Sequence, residues 1–200
     1  MKKITFLFSL FCFISVFSQN QFHYKENHFP VKYVLKNFTD TIKTRVQNIG
    51  IFTNKKFSPA TYIKQVNMLD SLGNKTVISE FDIDYMEVTD PQNVVRKFTS
   101  STSLRLTKYD FGLIEILFQG KLSWYRDYFY IGLTGYKMNK TDFLINKADG
   151  KVINESGFFN PGIKNNLKEK LQDHQDLVRL VDKSKKDKDI IKVLELYNNQ

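Results

Sequence analysis

The chain has 200 residues, 42% of them hydrophobic and 14% aromatic, and a formal net charge of +9. That is enough apolar material for one domain with its own core, and too much for a disordered polyelectrolyte. A single cysteine excludes a disulfide framework and a cysteine-rich metal centre.

Lys2 and Lys3 precede an apolar stretch, Ile4 to Phe17, that is shorter than the roughly 20 residues a membrane-spanning helix needs. Ser15-Val16-Phe17-Ser18 then offers small or β-branched residues where a signal peptidase reads. The pattern predicts a signal peptide over residues 1–18 and export to the periplasm, the outer-membrane periphery or the extracellular space. Cys12 follows Phe11 inside the apolar run, which is not where a lipoprotein cysteine stands. Cleavage removes two lysines, no acid and the only cysteine, so the remainder stays basic and has no thiol chemistry. No second long apolar run occurs, so no helical transmembrane span is expected.

Residues 19–29 read as a polar lead-in ended by Pro30. Val31 to Leu35 and Thr41 to Val46 read as a hairpin with Ile42 and Val46 on one face. Tyr62 to Leu69 and Lys75 to Ile78 form a second hairpin across Asp70-Ser71-Leu72-Gly73-Asn74. Glu80 to Val88 continues the sheet with Phe81, Ile83 and Tyr85 inward, and Val94 to Leu106 supplies one or two polar strands. The longest aromatic and β-branched run is Phe111 to Ile131, two strands separated by Gln119-Gly120-Lys121. Its rings Trp124, Tyr125, Tyr128, Phe129 and Tyr130 are foremost packing residues, and alternatively a ligand-facing aromatic wall. Leu133 to Lys137, Asp142 to Asn146 and Lys151 to Ile153 read as further strands.

The period then changes. Ile163, Leu167 and Leu171 mark one helix, Leu177, Leu180 and Val181 a second, and Ile190 to Leu196 a third, with Asp173 and Asp187 as N-cap residues of the last two. The expected fold is α+β: a mainly antiparallel sheet, curved or partly closed, over residues 19–160, with a small helical subdomain, 161–200, packed on it.

Asp40-Thr41-Ile42-Lys43, the Tyr62-to-Phe81 hairpin, Gln119-Gly120-Lys121-Leu122-Ser123-Trp124-Tyr125 and the closing Leu196-Tyr197-Asn198 span nearly all of the chain after residue 18. Together they resemble a family of secreted Bacteroidota envelope proteins of uncharacterised function, whose members share a "gDTIkGkI" opening, a "GkxxLY" centre and a helical close ending in "YN". The chain departs from that pattern at Thr44-Arg45, where the family has Gly-Lys, and at Trp124, where it has Leu. The resemblance implies an envelope protein with a β-rich body and a helical tail, and it brings no catalytic residues.

Candidate chemistry is sparse. His23, His28 and His174 include no pair at helical ligand spacing, and no nucleophile elbow, phosphate loop or dinucleotide fingerprint occurs. No catalytic, cofactor-binding or metal-ligating residue is assigned. Glu80, Asp82 and Asp84 alternate as if on one strand face, the pattern of a calcium site or an acid pair, though a solvated face describes them more simply. Lys183, Lys185, Lys186 and Lys188 are interleaved with Asp182, Asp187 and Asp189, which points away from nucleic acid and leaves a weak contact with an anionic surface. Asp40-Thr41-Ile42 and Asp70-Ser71-Leu72 match a D-[S/T]-aliphatic O-glycosylation pattern, with Thr41 and Ser71 as acceptors. The expectation is a non-enzymatic module that meets an envelope protein or glycan. The alternative is a carrier that holds a lipid or other apolar ligand in the curved sheet.

Overall fold

Alternating apolar and polar residues, interrupted by Asn, Asp and Gly turns, build ten strands in a computed structural model that describes residues 22–49, 56–104, 110–130, 138–148, 150–156 and 162–200. They are β1 (His28–Leu35), β2 (Ile42–Gln47), β3 (Gln65–Leu69), β4 (Lys75–Ser79), β5 (Ile83–Thr89), β6 (Val95–Ser100), β7 (Leu113–Phe118), β8 (Leu122–Tyr130), β9 (Met138–Asn146) and β10 (Val152–Ser156). Three helices follow: α1 (Ile163–Lys170), α2 (Gln175–Lys183) and α3 (Asp187–Asn198). The fold is α+β and mainly β, as the change of period predicts.

All strands form one sheet in the order β10-β9-β8-β7-β6-β5-β1-β2-β3-β4. Every neighbouring pair is antiparallel. β1 is interior, with β2 to β4 running off one side as a wing and β5 to β10 off the other. Pro30 is tolerated there because pairing with β5 begins only at Val31, so its missing N–H interrupts no ladder on that side.

Strand spacing shows that the sheet is curled. Lys64 precedes β3 and Leu113 opens β7, five spacings apart in the sheet order, which in a flat sheet is about 24 Å. Yet the Lys64 and Leu113 amides donate to the two oxygens of one carboxylate, Glu80. The wing is folded back over the sheet, while β4 and β10 remain its unpaired edges.

Register puts Tyr33, Met86, Phe98, Glu115, Arg126 and Asp142 in one cross-strand row on the concave face. The apolar end of that row is covered by the wing: the Tyr62 ring lies 4.7 Å and the Phe57 ring 5.6 Å from Phe98. Beyond the row's other end the helices lie over the same face, with Leu167, Leu171, Leu177, Val181, Val193 and Leu194 packed on Leu122, Trp124 and Leu144. A smaller cluster, Ile114, Tyr125, Phe143 and Ile145, occupies the opposite face.

Several local expectations are corrected. The lead-in is shorter, because His28 and Phe29 already belong to β1 and are buried. Of the one or two strands expected over Val94 to Leu106, the described residues hold one, β6, and a 3-10 turn follows it at Ser101–Leu104. Ile42 and Val46 share a face, but only Val46 is buried. The N-caps of α2 and α3 are His174 and Lys186 rather than Asp173 and Asp187. Asp189 reaches back to accept the Lys185 and Lys186 amides at 2.9 Å, which frees Asp187 for a different partner. The signal-peptide residues and the Leu133-to-Lys137 strand lie outside the described residues.

Candidate functional site

The alternating acids do not form a row. Ser79 accepts the Phe81 amide through its Oγ and starts a 3-10 turn over Glu80–Asp82, which rotates the side chains out of strand phase. Glu80 turns inward to 6% exposure while Phe81 is 42% exposed, the reverse of the expected pattern. Asp84 stays at the surface and accepts the Ser103 hydroxyl at 2.6 Å.

Glu80 is the clasp of the curl. Besides accepting the Lys64 and Leu113 amides, it donates its own amide to the Lys64 carbonyl at 3.2 Å. Lys64 holds a left-handed φ of 69°, a conformation that costs a side-chain-bearing residue about 1–2 kcal/mol and is kept here by these bonds. The carboxylate lies where a Cβ on Gly112 would be, within 2.6 Å, so only glycine fits at that place and at its φ of 75°. Burial pushes the Glu80 pKa up to about 7 despite the amide donors, and Asp127 adds to the rise.

Where the wing meets the far end of β8, a cavity of about 400 Å³ remains. Ile63, Lys64, Glu80 and Phe81 line it from the wing, Phe111 from the lead into β7, Asp127, Tyr128, Phe129 and Tyr130 from β8, and Thr141 and Phe143 from β9. The lining is aromatic with two buried carboxyls. Burial also pushes Asp127 up to about 6. Among the described residues no ion pair reaches either carboxyl, although Lys64 lines the same cavity.

Three of the five aromatic residues singled out from the sequence, Tyr128, Phe129 and Tyr130, line this cavity. Tyr125 lines a separate hollow of about 450 Å³ with Ser123, Ile145 and Gly120. Trp124 is fully buried beneath the helices and donates its Nε1–H to Asp142 at 3.0 Å. Glu80 is weighed in the sequence only as part of an alternating acid row with Asp82 and Asp84, and Asp127 and Phe111 are not singled out as site residues. The one local sign was Ser79, a cap-type residue at the strand end.

On the concave face a second polar group is fully paired. Glu115 accepts from Arg96 at 2.7 Å and from the Tyr128 hydroxyl at 2.9 Å. Arg126 donates to Asp142 at 2.7 Å and to Asp187 at the start of α3 at 2.5 Å. Both sets are structural ties, since their charges are spent on each other.

Compared with protein-family models, curated proteins and solved structures, the chain matches none. Among the described residues no helix is long and apolar enough to cross a membrane, and no three His, Cys, Asp or Glu side chains are grouped to hold a metal ion. Thr41, just before β2, and Ser71, in the β3–β4 turn, are both exposed. Lys183, Lys185, Lys186 and Lys188 are exposed as well.

Proposed function

We propose that the chain is an exported, non-enzymatic carrier that holds an apolar ligand in the seam cavity. The observation that carries this reading is the aromatic lining of a cavity about 400 Å³ in volume, within the range of small-molecule sites. The concave face is filled, with Met86, Phe98 and Trp124 fully buried, so the ligand site is the seam cavity, against Asp127, Phe129 and Phe143 on the opposite face of β8 and β9, and not the inside of the curl. The lysines and apolar run before residue 18 support export, and the resemblance to secreted Bacteroidota envelope proteins supports the same compartment. A non-enzymatic role is supported by Glu80: both its oxygens are engaged by backbone amides, which leaves it poorly placed to shuttle a proton.

Native mass spectrometry of residues 19–200, purified gently from their own envelope and compared with the denatured mass, tests the proposal. A non-covalent mass lost on denaturation is expected. A bare chain, together with no uptake of apolar probes, overturns it.

Contact with an envelope protein or glycan is the second reading. It is favoured by apolar side chains left in solvent on the wing and its loops, Phe38 at 66%, Leu72 at 70% and Val77 on edge strand β4 at 52% exposure. A stable complex in the same native spectrum, with an empty cavity, is the outcome that would replace the carrier. The denatured mass also tests O-glycosylation at Thr41 and Ser71, whose exposure at turns suits a transferase. Salt-sensitive retention on anionic vesicles tests a weak surface contact through the α2–α3 lysines.

A further inference from the structure

Among the described residues the buried carboxylates follow one rule with one exception. Glu115 is met by Arg96 and Tyr128, Asp142 by Arg126 and Trp124, Glu80 by two amides, and Asp90 by the amides of Gln92 and Val94. Asp127 is 7% exposed and lines the cavity, yet among the described residues it receives only the backbone amide of Tyr128. A carboxylate out of water without a positive or multiply donating partner is costly, and native interiors rarely leave one so. Its surroundings are also those of a cation site. The rings of Tyr128, Phe129, Tyr130 and Phe111 line the same space, and aromatic faces attract ammonium groups. Glu80 adds a second acidic group to the wall, which disfavours an anionic head. Lys64, the one cation among the described residues of the wall, is exposed and outside ion-pair distance of Asp127.

We propose that the carried ligand is a cationic amphiphile, an apolar body bearing an ammonium group that docks against Asp127 in the seam cavity. The proposal rests on the carrier reading and names its ligand class. The apolar body fills the aromatic part of the cavity, and the ammonium group donates hydrogen bonds to the carboxylate, which has no cation partner among the described residues.

Decylamine, 1-decanol and decanoate share a chain and differ only in the head group, so their calorimetric titration into residues 19–200 at pH 8 tests the proposal. Decylamine is expected to bind about 10- to 100-fold tighter than decanol, the worth of a charged hydrogen bond, with decanoate weakest. In Asp127→Asn the preference for amine over alcohol should vanish while decanol binding persists. Equal binding of amine and alcohol, or a preference that survives Asp127→Asn, overturns the ammonium assignment and leaves the carrier standing. Tightest binding of decanoate overturns it in favour of an anion held by Lys64. Binding of none of the three overturns both. If the variant does not fold by circular dichroism, the head-group comparison in the unaltered protein decides alone.

Discussion

The side-chain oxygen of Asn198 accepts the backbone amide of Lys121 at 2.9 Å, which ties the last turn of α3 to the β7–β8 connection 77 residues earlier. The Lys121 ammonium also lies 6.0 Å from the centre of the Tyr197 ring. The two short motifs Gly120-Lys121 and Tyr197-Asn198, distant in the chain, are therefore one contact. A Cβ on Gly120 would lie 2.6 Å from the Asn198 oxygen and 2.7 Å from the Phe118 ring. Gly120→Ala should cost about 1–3 kcal/mol in urea unfolding. The penalty should shrink in an Asn198→Ala background, where one of the two obstacles is gone; equal penalties in both backgrounds would place the whole clash at Phe118.

Arg126 holds α3 to the sheet. Its guanidinium is almost fully buried between Asp142 and Asp187, and this paired setting raises its pKa further. Arg126→Ala strands Asp142 in the interior and should lose about 3–5 kcal/mol. Asp187→Asn removes a partner that is half in water, so its cost should be about 1 kcal/mol or less. Chemical denaturation of the two variants side by side checks the ranking, and a larger loss for Asp187→Asn would contradict it.

Stability should peak in mildly acidic solution. Glu80 and Asp127 have folded pKa values raised to about 7 and about 6, so the fold binds their protons more tightly than the unfolded chain. Their contribution is complete below the unfolded carboxylate range and is lost as pH rises through about 6 to 7. Asp110 and Asp187 are shifted the opposite way, by amide or lysine donors in one case and by Arg126 in the other, although burial opposes both. Those two contribute stability above the ordinary carboxylate range and lose it on acidification. Thermal scans from pH 3 to 9 should therefore show a maximum near about pH 5 and a fall of several degrees by pH 8. In Asp127→Asn the alkaline decline should be shallower; an unchanged slope would remove Asp127 as a cause.

Tyr62 carries a fully buried hydroxyl that has no hydrogen-bond partner among the described residues, and burial raises its pKa well above the usual value. The ring supports Phe98 and the hydroxyl only costs desolvation. Tyr62→Phe should leave stability unchanged or raise it by up to about 1–2 kcal/mol, whereas Tyr62→Ala should lose about 3–5 kcal/mol. Destabilisation by Tyr62→Phe would show that the hydroxyl has a partner.

Much of the scaffold was legible from local pattern. The aromatic run Leu122–Tyr130, the Asp70-to-Asn74 turn and the four-residue spacing of Ile163, Leu167 and Leu171 each name an element, because large rings suit a pleated sheet, Asp, Gly and Asn suit a tight turn, and side-chain direction repeats every 3.6 residues in a helix. Phase was less secure. Glu80 to Tyr85 alternates without interruption, and one 3-10 turn was enough to put Glu80 inside and Phe81 outside. Ser79 marked that turn, but a lone serine among strand residues is a weak sign.

The order of residues by itself determined the strands, the turns, the helical tail and the absence of thiol chemistry after residue 18. These follow from short-range sterics and from which face of each element is apolar. Only the tertiary structure decided that the wing folds back, that Glu80 joins Lys64 to Leu113, and that Asp127 stands in an aromatic cavity with no ion-pair partner among the described residues. Curvature is the sum of small twists over many strands, and a carboxylate's partners come from strands far away in the sequence. No local pattern encodes either, so the site became visible only once the wing was folded back over the sheet and held there by that one buried carboxylate.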